Sequence, residues 1–437
     1  MRPQTPSDQV VAAPGERTAA RHGWVQALLA VVAGVIVMLA VAALGLWGAG
    51  ATGLPAHAYP RVVAASVVTA VGGTIELAGD AGVIADTRAG LTVIPLSVTL
   101  AGALVVAAGF LRPLRHRAVA GAPELAGWAA RIAVLWLLAL LGLALYSHQN
   151  FKISLGTGTI SDLGDLIGVS PEVGFKTAVP VTLLYGVLWL AGVLVLALLV
   201  SRGAPLPARL LRFQESVRPA AYAMVVLLLA CVALGAVVAL VVAATRGHVP
   251  ETFAVIFLGL PNLAWLAFTI GLGATWRGRV DGPFGLPMPH VLDQVLRTPD
   301  VSTVNLRTLG HHDGKVWWLL VVDALLLLGA AFLMAARSPA RMRAWQHAVR
   351  MALALALTVL MICLVGRISA HYALSLIGIG DAAGGLAGEL FLTPELWSAL
   401  GLAVVWGLVT GFLGALLARG VHRKGEVVKD RRLGEGI

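Results

Sequence analysis

The sequence predicts an all-α, polytopic transmembrane helical bundle, and three observations carry that prediction. The 437 residues are 58% hydrophobic and only 12% charged, whereas a soluble domain is nearer 25% charged. The apolar residues come in blocks, at least eight of them about 19 residues or longer with few or no charges, which is the length needed to cross roughly 30 Å of hydrocarbon. Between the blocks lie short turns rich in arginine, as expected of loops that orient membrane spans.

Residues 1–23 are polar and carry Arg2, Arg17 and Arg21, so they read as a disordered cytoplasmic tail. The run from Trp24 to Ala49 is too long for a signal-peptide core and reads as a first spanning helix. Further spans are expected at 91–111, 127–147, 177–201, 220–245, 316–336, 348–369 and 396–418. Two more apolar segments contain breakers. Segment 61–79 meets Gly72-Gly73, and segment 251–276 carries Pro261-Asn262 at its centre. Glycine costs a helix about 1 kcal/mol relative to alanine, and proline removes a hydrogen bond and clashes with the preceding turn. The expectation is eight spanning helices plus two broken or re-entrant segments, ten membrane segments in all.

The chain also reads as two membrane repeats, 24–203 and 204–420, with a basic cytoplasmic tail at 421–437. LAGALVVAAGFLRPLRHR (100–117) matches LLLLGAAFLMAARSPARMR (325–343). A span with an arginine in its first turn follows each, Arg131 or Arg350. Gly-rich acidic loops come next, SLGTGTISDLGDLIGVSPEVG and SLIGIGDAAGGLAGELFLTPE, at an offset of 217 to 226 residues. If all ten segments cross, the halves form an inverted 5+5 repeat that violates the positive-inside rule in one half. If the two broken segments return to the side they left, the halves are parallel. The basic turns and tails on the inner side then hold 19 Lys/Arg and the outer side 10. The second plan is preferred. It makes residues 277–315, with GPFGLPMPH and the amphipathic VLDQVLR, an extracytoplasmic insertion.

The stretches FLRPLRHRAVAGAPELAGWAARIAVLWLLAL, LPARLLRFQESVRPAAYAM, LGLPNLAWLAFTIGLGATW, GPFGLPMPHVLDQVLRTPDVSTVNLRTL and RSPARMRAWQHAV resemble the streptophobe family, multi-pass membrane proteins of Streptomyces. The resemblance covers residues 24 to 420. It implies a place in the cytoplasmic membrane, and brings no activity and no catalytic residues with it.

Ionisable residues inside a span are expensive and are functional candidates by default. Asp323 sits seven residues into span 316–336 among apolar neighbours. Arg367, in the outer third of span 348–369, is its candidate partner, at an axial offset of roughly 9 Å. The plainer alternative is a buried pair that fixes helix packing. Glu76 and Asp80 would line the first dip, and Asn262 and Thr269 the second, together forming a polar path. Against this, Glu76 and Asp80 also read as solvated residues near the outer surface. Arg131 and Arg350 read as snorkelling toward lipid. His311-His312-Asp313 is a weak metal motif, and Asp162, Asp165 and Asp381 read as solvated turns. Gly407 and Gly411 form a GxxxG, a signal of close helix contact.

No nucleotide, zinc-protease or nucleophile-elbow motif is present, so no cofactor and no metal is assigned. Cys231 and Cys363 lie inside apolar runs, which excludes a disulfide framework. The net charge of +10 is accounted for by the orienting turns, and nucleic acid is not an expected partner. The expected partners are the lipid bilayer, a small solute or ion, and other membrane proteins. A transporter- or channel-like role ranks first and a non-enzymatic scaffold second. A membrane enzyme acting on lipid-linked envelope precursors ranks third, because it needs clustered polar residues at one membrane face.

Overall fold

The computed structural model describes residues 14–53, 58–80, 85–114, 122–147, 149–152, 172–201, 208–247, 249–281, 290–297, 300–339, 342–376 and 388–420. They form the predicted polytopic helical bundle, and nine of the helices are long and apolar enough to cross a membrane. Large apolar side chains face outward all round, Leu29, Leu138, Leu325 and Leu353 each at 60% exposure or more. In water that surface would aggregate; in a bilayer it is the solvated face.

In chain order the first half contains α1 (Pro14–Gly48), α2 (Ala58–Ala70), β1 (Ile75–Asp80), β2 (Ala85–Thr92), α3 (Leu96–Leu114), α4 (Ala122–Tyr146), β3 (Gln149–Lys152), β4 (Glu172–Thr177) and α5 (Val179–Val200). Then follow α6 (Ala208–Arg246), α7 (Val249–Gly271), β5 (Trp276–Val280), α8 (His290–Leu296), β6 (Ser302–Val304) and α9 (Leu306–His312). The chain continues through α10 (Trp318–Ala336), α11 (Ala344–Val365), β7 (Ile368–Leu376), β8 (Gly388–Pro394) and α12 (Leu396–Leu417). Helix α1 starts at Pro14, so the expected tail is helical from there; residues 1–13 and 421–437 lie outside the described residues.

A sheet, which the apolar runs do not predict, closes one end of the helices. The eight strands among the described residues join one antiparallel sheet in the order β3-β4-β1-β2-β7-β8-β5-β6. Strands β3/β4 and β7/β8 are the flanks of the two Gly-rich acidic loops. Asp162, Asp165 and Asp381 lie outside the described residues. The insertion supplies β5 and β6 and folds over the sheet, with Leu292, Val295 and Leu296 of α8 buried.

The sheet marks one end of the bundle, and the arginine-rich turns mark the other. Helices α3, α5 and α12 start directly from strands, α10 follows β6 through α9, and α4 and α11 run into strands. Helix α1 is antiparallel to α3, with Gly34 against Val106 and Gly102 against Met38, so it ends at the sheet. The start of α6 lies at the turn end. There Arg337 stacks 3.7 Å from the Tyr222 ring, and Arg350 donates to the Ser216 carbonyl at 3.2 Å. Helix α6 therefore ends at the sheet as well.

This path decides the two doubtful segments. Helix α7 begins where α6 ended, with Gly48 of α1 against the Pro250 carbonyl, and four residues separate its end from β5. Both its ends are at the sheet side, so it does not traverse the bundle despite its length. Pro261 does not interrupt it. A π turn at Val255–Gly259 immediately precedes the proline and absorbs the hydrogen bond that proline cannot make. Helix α2 spans only about 20 Å at 1.5 Å per residue. It starts with Tyr59 donating to the Ala43 carbonyl and ends with Thr99 of α3 donating to the Ala70 carbonyl, both at 2.6 Å. Eight of the nine long helices thus run from end to end, as the composition predicts.

Both non-crossing helices stop in the same way. After α2, Gly72 N donates to Thr69 O and Gly73 N to Val68 O. After α7, Gly273 N donates to Ile270 O and Ala274 N to Thr269 O. Gly72 and Gly273 have φ of 94° and 96°. This is a Schellman cap, whose left-handed residue favours glycine, and it gives the Gly72-Gly73 breaker its physical meaning. Among the described residues the buried core has two large clusters, beside a small one at Ala335, Ala415 and Ala418. One cluster draws on residues from Ala27 to Ala197, the other on Leu96 and residues from Ala220 to Ala403.

Candidate functional site

Asp323 stands in the second turn of α10, 4% exposed, and its carboxylate makes no hydrogen bond or ion pair with any described residue. It packs on the last residue of α7, where a Cβ added to Gly271 would overlap the carboxylate and touch the Leu319 backbone at 3.2 Å. Glycine is what lets the end of α7 come this close. The Cys231 thiol of α6 lies within electrostatic reach of the same carboxylate. The next turn of α7 is tied into the fold by Thr269, fully buried. It donates to Leu266 O at 2.8 Å and accepts from Trp276 Nε1 at 3.0 Å. Beyond the cap, Trp406 of α12 donates to Leu272 O at 3.0 Å. The capped end of α7 therefore packs side-on against a buried acid.

The expected partner does not meet it. Helix α11 ends at Val365 with Gly366 as its cap, so Arg367 is not in a span; it sits exposed in the link to β7. Helix α12 also lies between the two helices, with Gly414 on Ala331 of α10 and Gly411 on Ala348 of α11. An Asp323–Arg367 pair would have to reach past it.

Glu76 and Asp80 belong to β1, opposite Lys176 and Glu172 of β4. Helix α2 ends before them, so they line no dip. Asn262 is on α7, but both ends of its amide are engaged by backbone. It accepts from Leu96 N at 3.1 Å and donates to Ile94 O at 2.9 Å. Leu96 is the first residue of α3, whose amide has no intrahelical partner, so Asn262 caps α3 from another helix. Asn262→Ala is expected to destabilise the protein by about 2 kcal/mol through the unsatisfied backbone pair. Thermal unfolding read by reaction of the buried Cys231 and Cys363 with a thiol-reactive fluorophore measures it.

The remaining candidates are accounted for by protein contacts. Arg131 lies 6.0 Å from the Trp24 ring, and Asp313 accepts from Lys315 N at 2.9 Å as a cap after His312. Gly271, Thr99 and Cys231 complete the site and are not among the residues that the sequence singles out. The available signal was Gly271 itself, a small residue in an apolar run where a buried acid needs room.

Compared with known proteins, the chain matches no family model, no curated protein and no solved structure.

Proposed function

We propose that this chain is a duplicated, transporter- or channel-like protein of the cell membrane, without a catalytic centre, in which Asp323 handles a monovalent cation or proton. The observation that carries this reading is the buried, unpartnered carboxylate set against the end of a non-crossing helix. A charge at that depth persists when it has work to do, and ends of broken helices are where many transporters hold coupling ions.

The duplication is supported by the strand order, which reads 3-4-1-2 and then 7-8-5-6, each number raised by four. It is supported too by the matched caps, 273 − 72 = 201 and 274 − 73 = 201. The same shift takes Ala70 to Gly271. In the first half the α3 residue facing that carbonyl is Thr99, which donates its hydroxyl to it. In the second half the residue facing Gly271 is Asp323. Where one half places a neutral donor, the other places an acid that can donate only when protonated. The likeness to the streptophobe family belongs to the same proposal.

The preferred orientation puts the arginine-rich turns and both tails in the cytoplasm. A single cysteine at His116 is expected to resist an impermeant thiol reagent in intact cells and to react after permeabilisation; reaction from outside overturns the orientation. For the activity, purified protein in vesicles under a proton or alkali-cation gradient is expected to pass current above protein-free vesicles, and Asp323→Asn to return it to background. Equal flux in both proteins overturns the role of Asp323.

A further inference from the structure

A cavity of about 470 Å³ lies between α7, the β2–α3 junction, the end of α11 and the sheet. That is the size of a small-molecule site. Its α7 wall is the stripe Val255, Leu258, Asn262 and Leu266, spaced to share one helix face. Gly271, which meets Asp323, is turned well away from that face, so the cavity and the acid are on different sides of α7. The opposite wall is the sheet, with Trp276, Leu390 and Leu392.

The few polar side chains of the lining are already committed. Ser66 donates to Val62 O, Thr69 to Ser66 O, Trp265 to Leu228 O and Trp276 to Thr269. Asn262 spends both ends of its amide on the α3 backbone. The space is partly open, and a water in it would find few of the two to four partners that it needs. The chemistry left for an occupant is hydrocarbon. The cavity meets α3 at its first turn and α11 at its last, the depth at which the apolar core of a bilayer gives way to headgroups. The nearest supply of hydrocarbon there is the lipid itself.

We propose that this cavity binds one hydrocarbon chain of a membrane lipid. The proposal rests on the helices spanning a bilayer and not on Asp323 or on flux, so the Asp323→Asn experiment leaves it standing. The test uses the full chain in vesicles containing a phosphatidylcholine with a photoactivatable diazirine at the end of one acyl chain. After irradiation, label is expected on Leu292, Leu390 and Leu392, buried sheet-side residues that line the cavity, as well as on outward-facing Leu325. Leu263→Trp, which fills the space from α7, is expected to cut the sheet-side label severalfold and leave Leu325 unchanged. Wild-type label confined to outward-facing helix surfaces overturns the proposal, and this arm needs no variant to fold. So does sheet-side label that survives in a Leu263→Trp protein of normal gel-filtration profile. Displacement by free fatty acid but not by excess phospholipid also overturns it, by assigning the chain to a different source.

Discussion

Asp323→Asn is expected to give a protein that is more resistant to heat than the wild type and carries no ion flux. The side chain is almost fully buried and its carboxylate makes no hydrogen bond or ion pair among the described residues. A buried polar group left unsatisfied costs about 1–3 kcal/mol, and more when charged. The carboxamide has the same shape and no charge. It also brings an N–H that can donate at the end of α7, as Thr99 does to Ala70. Stability should therefore rise by about 1–3 kcal/mol, read as a shift of the thiol-reactive unfolding curve of Cys231 and Cys363. A structural role predicts the reverse, lost expression or a lower midpoint. Gly271→Ala adds a second arm. Its methyl group overlaps the carboxylate, so it should destabilise the wild type. In an Asp323→Ala background the loss should shrink to what the 3.2 Å contact with Leu319 imposes. Additive losses would show that the two residues do not touch.

How much of this was legible in the sequence depends on the kind of signal. Crossing helices write themselves as long apolar runs: six of the eight expected spans agree with the helices to within five residues at both ends, while α1 and α6 begin ten and twelve residues earlier, in polar sequence that hydropathy does not mark. Gly72-Gly73 was legible as a breaker because a left-handed cap demands glycine. The sheet was not legible. Its strands include IELAGD, ADTRAGLT and GELFLTP, with little apolar alternation and many residues that strands avoid. Their pairing is also remote: β2 lies on β7, in the other half of the chain. Arg367 was misplaced because the run CLVGRISAHYALSL stays apolar across a change from helix to strand, and Gly366 was the only punctuation. Asp323 was legible from burial cost alone. Its neighbour was not, because the contact with Gly271 is set by where α7 stops and by α12 lying between α10 and α11.

Gly411→Leu is expected to be the most damaging single change in the membrane block. The GxxxG of Gly407 and Gly411 lies against α11. A Cβ at 411 would sit 2.8 Å from Ala348 Cα and 2.7 Å from Met351 Cβ, and one at 407 would sit 2.8 Å from the Ala352 amide nitrogen. One turn on, Gly414 meets Ala331 of α10 at 2.7 Å. Much of what blocks these sites is backbone, which cannot rotate aside as a flexible side chain can, so the helices must separate. Overpacking of this kind costs about 3 kcal/mol or more, and van der Waals packing is much of what holds helices together in lipid. Gly401 is the internal control. It lies in the same helix with nothing within 4 Å, so Gly401→Ala should be neutral or stabilise by about 1 kcal/mol through helix propensity. The damage at 411 should also travel. Helix α12 holds the cap of α7 through Trp406 and Leu272, and the end of α7 is the floor beneath Asp323. Gly411→Leu should therefore expose the buried Cys231 thiol to a membrane-permeant maleimide below the unfolding midpoint, and Gly401→Ala should not. If both variants react alike, α12 is not what seats the end of α7 against the acid.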